Sequence, residues 1–362
     1  MKHVSSVDMP DFTLCKRVYR ELGGSDRKFE VDYNNSAYIL KFAEMHAKKS
    51  DISTKYVNNV VSEYLGSHII ETTGIPVHET ILGTYNNDEL VVACRDFRNK
   101  GEDNIEFSEL IHSVYDSKDI GRLVFLNQYY DTVTNENVLP KDLVQPSIDR
   151  FWDTFVMDAL IGNFDRHAGN WGYISDGQHI RMAPIYDNGS SLLPQLSDTG
   201  MEEIANNSFS LLERCLVFPS PVLCTTKEKV GKVGYYDMLS SGYDNNCTEA
   251  LKRMMPKIDM NKIYSVIDNT PVISEMRKTF YKTYISYRKE MILDRALERC
   301  LSGYDIEALN RINNGKQFSN DLLQEKIQMG LLEPPSLSTL SEYENLNYNK
   351  ECEGGVYNEY DR

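Results

Sequence analysis

The sequence lacks the features that define several classes of protein. Its seven cysteines form no C-x-x-C pair and no Cys/His cluster, so we expect reduced thiols rather than a disulfide framework or a zinc site. The amino terminus has no run of about seven apolar residues of the kind that a signal peptide requires. No apolar stretch approaches the roughly 18 residues that cross a membrane. We therefore expect no membrane insertion and a cytoplasmic protein, with secretion as an effector through another signal left open.

The sequence also has little positive charge. Its 54 acidic and 39 basic residues give a net charge of -15 at pH 7. Such a charge repels polyanions, so we expect no direct binding to nucleic acid and no anionic membrane as the default partner. A length of 362 residues, with 41% hydrophobic and 26% charged residues, suffices for two domains or for one bilobed fold with a large core.

The first hundred residues have the pattern of a sheet with one helix. Residues 28–33 (KFEVDY) alternate, Asn34 and Asn35 make a turn, and residues 37–42 (AYILKF) resume as a strand, which predicts a hairpin. Residues 56–72 place apolar side chains at helical spacing. A second hairpin follows in HETILGTYNNDELVVACRDF.

The pattern changes near residue 100. Residues 98–104 (RNKGEDN) are a polar linker, and residues 107–327 are dominated by helical patterns. We predict an α+β, bilobed fold in which residues 1–100 form a small lobe with an antiparallel sheet and one helix. Residues 101–332 then form a larger, mainly helical lobe. Residues 333–362, rich in Glu, Asn, Ser and Tyr, are expected to be a flexible acidic tail.

The stretch GNFDRHAGNWGYI, residues 162–174, follows an apolar helix at residues 151–161 and leads into a strand at residues 171–174. Asp165 and Asn170 are five residues apart, and Asp187 follows in APIYDNGS. Oxygen ligands of this kind suit Mg2+ with substrate phosphates. The order D-x-x-x-x-N and then a further Asp is typical of protein kinases. An ordinary turn is the alternative for DRHAGN, and His167 alone could be a buried structural histidine.

The small lobe contains counterparts for the rest of a nucleotide site. Its candidates for nucleotide binding are Gly24 and Ser25 in a glycine turn without G-x-G-x-x-G, Lys28 at the exit of that turn, Lys41 in the apolar strand YILKF, Glu63 on the helix, and Val92 and Cys94 in the strand before the linker. A lysine inside an apolar strand is costly unless it pairs with an anion, and Glu63 could be that partner. Residues 91–94 are the candidate for adenine contact, and an ordinary buried strand is the alternative.

In these motifs (GGSDRKF, EYLG, VVACRDF, DRHAGN and YDNG) the chain resembles the HipA-like family of bacterial serine/threonine kinases, in particular its short members. The resemblance implies a protein-kinase-like fold, a nucleotide-binding small lobe, a catalytic large lobe, and ATP- and Mg2+-dependent phosphorylation of an unidentified protein. It implies that Asp165 is the catalytic acid or base with His167 beside it. Asn170 and Asp187 would hold metal, and Lys41, Gly24, Ser25 and Lys28 would contact phosphates.

The same resemblance implies a role as a bacterial toxin or effector, with an antitoxin as partner. Family kinases phosphorylate a serine of their own small lobe, for which Ser25 and Ser36 are candidates. The chain has too few residues before GGSDRKF for the separate N-terminal subdomain of full-length toxins. The resemblance therefore does not extend to the antitoxin-binding mode and the substrate of those toxins. Two other functions stay open, a small-molecule or lipid kinase and a non-catalytic ATP-binding module. Detection of phosphate transfer to a protein would distinguish the protein kinase from these two alternatives.

Overall fold

An antiparallel sheet forms the first part of the fold in the computed structural model, which describes residues 9–18, 27–43, 58–86, 89–115, 123–226 and 231–332. Its strands are β1 (Lys16–Val18), β2 (Lys28–Tyr33), β3 (Ser36–Phe42), β4 (Thr80–Tyr85) and β5 (Glu89–Arg95), in the spatial order β1-β2-β3-β5-β4. Asn34 and Asn35 both have positive φ angles, 52° and 60°, as a tight two-residue hairpin turn requires. The predicted hairpin is therefore confirmed.

One helix, α1 (Asn58–Glu71), accompanies this sheet. Val60 packs with Leu82, Val92 and Cys94 on one face of the sheet. Leu65 and Ile69 point the other way, into the large core of the second part of the chain. Helix α1 therefore packs against both parts of the fold.

Helices dominate the second part of the chain, together with short strands. The elements are β6 (Asp103–Glu106), α2 (Phe107–Val114), β7 (Val124–Phe125), α3 (Leu126–Val133), α4 (Lys141–Ile161), β8 (Gly172–Ser175), β9 (Ile180–Met182), α5 (Asp198–Ala205), α6 (Ser208–Leu216), β10 (Leu223–Cys224), α7 (Tyr235–Ser240), α8 (Asn245–Met254), α9 (Met260–Asp268), α10 (Glu275–Arg288), α11 (Arg295–Ser302), α12 (Ile306–Asn313) and α13 (Asn320–Gln328). A 3-10 turn, Met255–Lys257, follows α8, and a π-helical turn, Lys289–Asp294, joins α10 to α11. Strands β6, β8 and β9 form an antiparallel sheet, and β7 pairs with β10 in parallel. The expected mixture of one sheet-bearing part and one helical part is confirmed.

The central helix of the second part, α4, is longer than the sequence suggests. It begins at Lys141, ten residues before the predicted start, and includes Pro146. Proline usually ends a helix because it lacks an N–H. Here Pro146 stands about one turn and a half from the helix start, so the one backbone hydrogen bond that is lost is to a carbonyl of the first turn. Ser147 and Trp152 beyond it are buried, and this packing favours the longer helix.

Two further expectations concern the ends of these parts. The boundary near residue 100 stays a prediction; strand β5 ends at Arg95, and β6, which begins at Asp103, pairs with β8 of the helical part. The expected tail at residues 333–362 lies outside the described residues. Within the described ranges, no helix has both the length and the apolar character needed to cross a membrane.

Candidate active site

The loop of residues 163–171 is set by the end of helix α4. Gly162 caps that helix with a left-handed backbone, φ 67°, and its N–H donates to the carbonyl of Asp158. A Cβ at Gly162 would lie 2.3 Å from the hydroxyl oxygen of Tyr284, so only glycine fits there. The chain therefore turns sharply from a buried helix into the loop that contains Asp165, His167 and Asn170.

Within this loop the backbone of Asp165 is fixed on both sides. Its N–H donates to Oδ1 of Asn163 at 3.1 Å, and its carbonyl accepts from the N–H of His167 and from Nδ2 of Asn170, both at 2.8 Å. The Gly169 N–H donates to Nδ1 of His167 at 3.1 Å. That bond places the proton of a neutral imidazole on Nε2. The three predicted residues of this loop are thus held by one another.

Arg166, between two of those residues, joins the loop to its surroundings. Its guanidinium makes two bonds of 2.9 Å to the carboxylate of Asp158, which is 2% exposed. It also donates to the carbonyls of Asn170, Tyr186 and Asp187. Burial by itself would lower the pKa of Arg166, but the Asp158 carboxylate outweighs it and raises that pKa. Arg166 is consequently a permanent cation at the centre of the site.

Asp187 lies on a second loop, residues 184–190, which we name the Asp187 loop. Its φ of 57° is left-handed, a conformation that is costly for an aspartate and that concentrates at functional sites. The Asp187 carboxylate forms an ion pair with the amine of Lys41. Its side chain is 37% exposed, so the carboxylate also faces solvent. Asp187 therefore lies where a carboxylate can meet both the lysine and a bound ion.

The Lys41 amine is shared between two carboxylates. It lies 3.1 Å from Oε2 of Glu63, which is on helix α1. Burial alone would lower the pKa of Lys41, but Asp187 and Glu63 outweigh it and raise that pKa well above its ordinary value. Burial likewise acts to raise the pKa of Glu63, yet Lys41 and His78 hold it well below its usual range. Both groups are charged at neutral pH.

The other oxygen of Glu63 is also occupied. Oε1 accepts from Nε2 of His78 at 2.9 Å and from the backbone N–H of Asn188 at 3.0 Å. Glu63, His78 and Cys94 have donor atoms within 4.8 Å of one another and could reach one metal ion. Since both oxygens of Glu63 already have partners in Lys41, His78 and Asn188, we interpret the cluster as a positioning network.

The remaining predicted residues of the small lobe have different positions. Gly24 and Ser25 lie outside the described residues. Lys28 is directly opposite Lys41 in the β2–β3 register, on the same face of the sheet. Val92 and Cys94 lie in the interior strand β5, whose backbone pairs with β3 and with β4. Any contact of these two residues with adenine would therefore be through their side chains.

Burial raises the pKa of the Cys94 thiol far above its ordinary value, so this cysteine is a neutral apolar group. Ser36, one of the two candidate phosphorylation sites, is the first residue of β3 and lies beside the hairpin turn. Ser36 stands five positions before Lys41 on an extended strand, so it lies about 17 Å from the lysine, near the opposite end of the strand.

Sequence reasoning missed four residues of this site, Asp158, Arg166, His78 and Asn188, although Arg166 stands between the predicted residues Asp165 and His167. Asn188 follows Asp187 in the motif YDNG, so its position beside a predicted metal ligand was a signal that could have identified it. Asp158 lies in the apolar helix segment FWDTFVMDALI, where a buried acid is itself a signal of pairing. His78 belongs to no motif and could not have been found from the sequence.

Comparisons with known proteins agree with this geometry. The family of the HipA-like C-terminal domain matches residues 20–230, more than half of the chain. The serine/threonine-protein kinase CtkA of Helicobacter pylori strain J99 is 37% identical over 297 residues, which are 80% of this chain and 88% of that protein. The crystal structure of a Helicobacter pylori proinflammatory kinase CtkA aligns with a TM-score of 0.74 and 36% identity, over 81% of this chain and 98% of that one. The predicted kinase-like fold is confirmed by this match.

A more distant structure, the toxin–antitoxin complex of HipA, HipB and operator DNA from Shewanella oneidensis MR-1, aligns with a TM-score of 0.47 and 15% identity. It covers 78% of this chain and 67% of that one. This likeness is too low to carry an argument about partners.

Proposed function

Because the chain belongs to the HipA-like family of serine/threonine kinases, we propose that its site transfers a phosphoryl group from ATP to a serine or threonine hydroxyl of a protein. The observation that carries this proposal is the pairing of Lys41 with Glu63 and Asp187. Arg166 of the 163–171 loop donates to the carbonyl of Asp187 and so connects that loop to the ion pairs. Phosphoryl transfer needs a cation for the phosphates, oxygen ligands for metal and a group for the acceptor hydroxyl, all in fixed positions. We propose that strand β3 and the two loops supply these groups.

The side chains fit a nucleotide with a divalent metal ion, the requirement common to kinases. Asn170 donates its Nδ2 to the carbonyl of Asp165, which leaves Oδ1 as the atom of this amide suited to a metal ion. The partly exposed Asp187 carboxylate offers a second hard oxygen. We propose Mg2+ as the ion and Asn170 and Asp187 as its ligands. When bound, the metal supplies positive charge that offsets the charge on the transferred group.

The proposed role of Lys41 is to bind nucleotide phosphates. Its amine is charged, its stem is packed in the sheet, and Glu63 fixes its direction from the side of helix α1. Lys28 lies beside it on the neighbouring strand and adds a second cation on the same face. Gly24 and Ser25 complete the proposed phosphate contacts, and Val92 and Cys94 are proposed to line the adenine through their side chains.

Asp165 is the residue proposed to orient the acceptor hydroxyl and accept its proton. Its backbone is held by Asn163, His167 and Asn170, so the carboxylate has a fixed origin. A carboxylate positioned in this way contributes general-base catalysis. His167 is proposed to assist, because its Nδ1 is used within the loop and its Nε2 is the nitrogen left to face a phosphate or Asp165.

A protein substrate follows from the kinase family, whereas its identity is not specified by the site. A toxin or effector role, an antitoxin partner and a cytoplasmic location are proposals that follow from the family resemblance. The division into a small lobe of residues 1–100 and a large lobe of residues 101–332 is also proposed. Separate expression of the two ranges would test that division.

The test is incubation of the purified chain and of an Asp165→Ala variant with radiolabelled ATP and Mg2+, followed by phosphosite mapping. We expect label on serine or threonine of the wild type, at Ser25, at Ser36 or on an added protein, and none on the variant. Asp176→Ala is the matched control, since Asp176 is an exposed acid in the β8–β9 turn. Label on the Asp165→Ala protein equal to the wild type would refute the role of Asp165. ATP binding without label on any protein would favour a small-molecule kinase or a binding module.

A further inference from the structure

Asn188 lies fully buried between helix α1 and the 163–171 loop. Its side-chain oxygen accepts from Nη2 of Arg166 at 2.6 Å, and its Nδ2 donates to Oγ of Ser67 at 2.9 Å. Its backbone N–H donates to Oε1 of Glu63 at 3.0 Å. One asparagine thus contacts the arginine of one loop and two side chains of the helix.

The approach of helix α1 to Asn188 is close because residue 66 of the helix is a glycine. A Cβ at Gly66 would lie 2.9 Å from the Cβ of Asn188, 3.3 Å from its carbonyl oxygen and 3.4 Å from Oγ of Ser191. Glycine is a poor residue for a helix interior, so its presence needs a packing reason. The reason in this structure is the contact with Asn188.

The following glycine of the Asp187 loop shows the same fit. A Cβ at Gly189 would lie 3.2 Å from Oε2 of Glu63, the oxygen that binds Lys41. The helix and the loop are therefore fitted to each other on both sides of Glu63. His78 strengthens this contact, because its backbone N–H donates to the carbonyl of Ile185 while its ring donates to Glu63.

These contacts have a direct consequence for the proposed reaction. Glu63 can direct the Lys41 amine only while helix α1 stays against the Asp187 loop. The side chain of Asn188 bridges the helix, through Ser67, and the second part of the fold, through Arg166 and Asp158. An apolar side chain at residue 188 would leave Ser67 without this donor and Arg166 without this acceptor, and both groups are largely removed from water.

We propose that Asn188 is a positioning residue that holds helix α1 against the Asp187 loop, with Gly66 permitting the contact and Ser67 accepting its amide, so that Glu63 keeps Lys41 aligned. The proposal rests on the phosphotransfer function above and names how that site is held together. Asn188 is itself fully buried, so the role proposed for it is positional and not catalytic.

The test compares Asn188→Leu, Ser67→Ala and Gly66→Ala with a matched control, Ser62→Ala. Ser62 is on the same helix and equally buried, but its hydroxyl has no hydrogen-bond partner among the residues that the structure describes. Initial rates of phosphate transfer give kcat and the KM for ATP. Amide hydrogen exchange of residues 58–71 without nucleotide reports the position of helix α1, and thermal melting reports global stability.

We expect Asn188→Leu to lower kcat about 10- to 100-fold, as loss of residues that orient catalytic groups does, with the KM for ATP within about threefold. Helix α1 should exchange faster, by more than the accompanying fall in melting temperature accounts for, since the lost buried hydrogen bonds also lower global stability. Gly66→Ala should act in the same direction even though alanine is the better helix former. Ser67→Ala should have a smaller effect, and Ser62→Ala should match the wild type.

An unchanged kcat in Asn188→Leu would overturn the proposal, and so would a lowered kcat with unchanged exchange in helix α1. Should Asn188→Leu fail to fold, Ser67→Ala and Gly66→Ala decide by the same criteria. Absence of phosphate transfer by the wild type would instead refute the proposed function. In that case, faster hydrogen exchange of helix α1 in Asn188→Leu than in the wild type would still show that Asn188 holds the helix in place.

Discussion

Lys41 and Glu63 form an ion pair of 3.1 Å between strand β3 and helix α1. The Glu63 side chain is 3% exposed, whereas that of Lys41 is 23% exposed. A carboxylate with so little contact with water is stable only when its oxygens are fully hydrogen-bonded, and three donors satisfy this one. Because the amine retains more access to solvent than the acid, Glu63 holds the positive charge of Lys41 on the side that faces Asp187 and solvent.

Glu63→Gln should weaken the orientation of the Lys41 amine without removing the lysine. The amide keeps the size of the side chain but loses the negative charge that directs the Lys41 amine. We expect kcat for phosphate transfer to fall about 10- to 100-fold, a typical loss for a residue that orients a catalytic group. Initial-rate measurements at saturating ATP check this. Glu71→Gln, an exposed acid at the end of the same helix, is the control and should retain the wild-type rate.

The same substitution should change the dependence of stability on pH. The folded state holds the pKa of Glu63 well below its ordinary value of 4.5. A depressed pKa contributes stability above the unfolded pKa, and this stability is lost as the pH falls toward the folded pKa. We expect the free energy of unfolding to decrease more steeply for the wild type than for Glu63→Gln between about pH 5 and pH 3. Urea titrations at each pH measure both slopes, and parallel slopes would contradict the prediction.

Arg166→Ala should be strongly destabilising because it leaves a buried acid without its partner. Asp158 is 2% exposed and receives two bonds from this guanidinium. Removal of one member of a buried pair costs about 3–5 kcal/mol. The control is Arg181→Ala, which breaks a pair with Glu102 in which the arginine is 47% exposed. Such surface pairs contribute about 1 kcal/mol or less. Urea unfolding that gives equal losses for the two variants would refute the prediction.

Gly162→Ala should disturb the start of the 163–171 loop. Alanine at a left-handed φ costs about 1–2 kcal/mol, and its Cβ would collide with the Tyr284 hydroxyl, so we expect a loss of about 2–5 kcal/mol. Gly177→Ala is the matched control, with φ 86° and, in the described part of the chain, no atom within 4 Å of its Cβ. There we expect the backbone penalty alone, about 1–2 kcal/mol. Urea denaturation distinguishes the two, and equal losses would show that the Tyr284 contact is relieved.

Local signals in the sequence were sufficient for much of the fold. Alternation in KFEVDY and the Asn34–Asn35 pair predicted a hairpin, because strand period and turn conformation depend on neighbouring residues. The start of helix α4 could not be predicted in this way. Pro146 reads as a break in a local pattern, and burial of Ser147 and Trp152 against distant residues decides otherwise.

The candidate site divides along the same line. The order of Lys41, Glu63, Asp165, Asn170 and Asp187 is visible in the sequence, because each stands in a short segment whose residue types limit its chemistry. The contacts of Asn188 are different, since its bond to Glu63 joins residues 125 positions apart. Only the packing of helix α1 against the second part of the chain brings His78, Ser67 and Asn188 together. The sequence by itself therefore determined which groups could do chemistry, and the tertiary structure decided which groups hold them in place, because such support depends on contacts between elements.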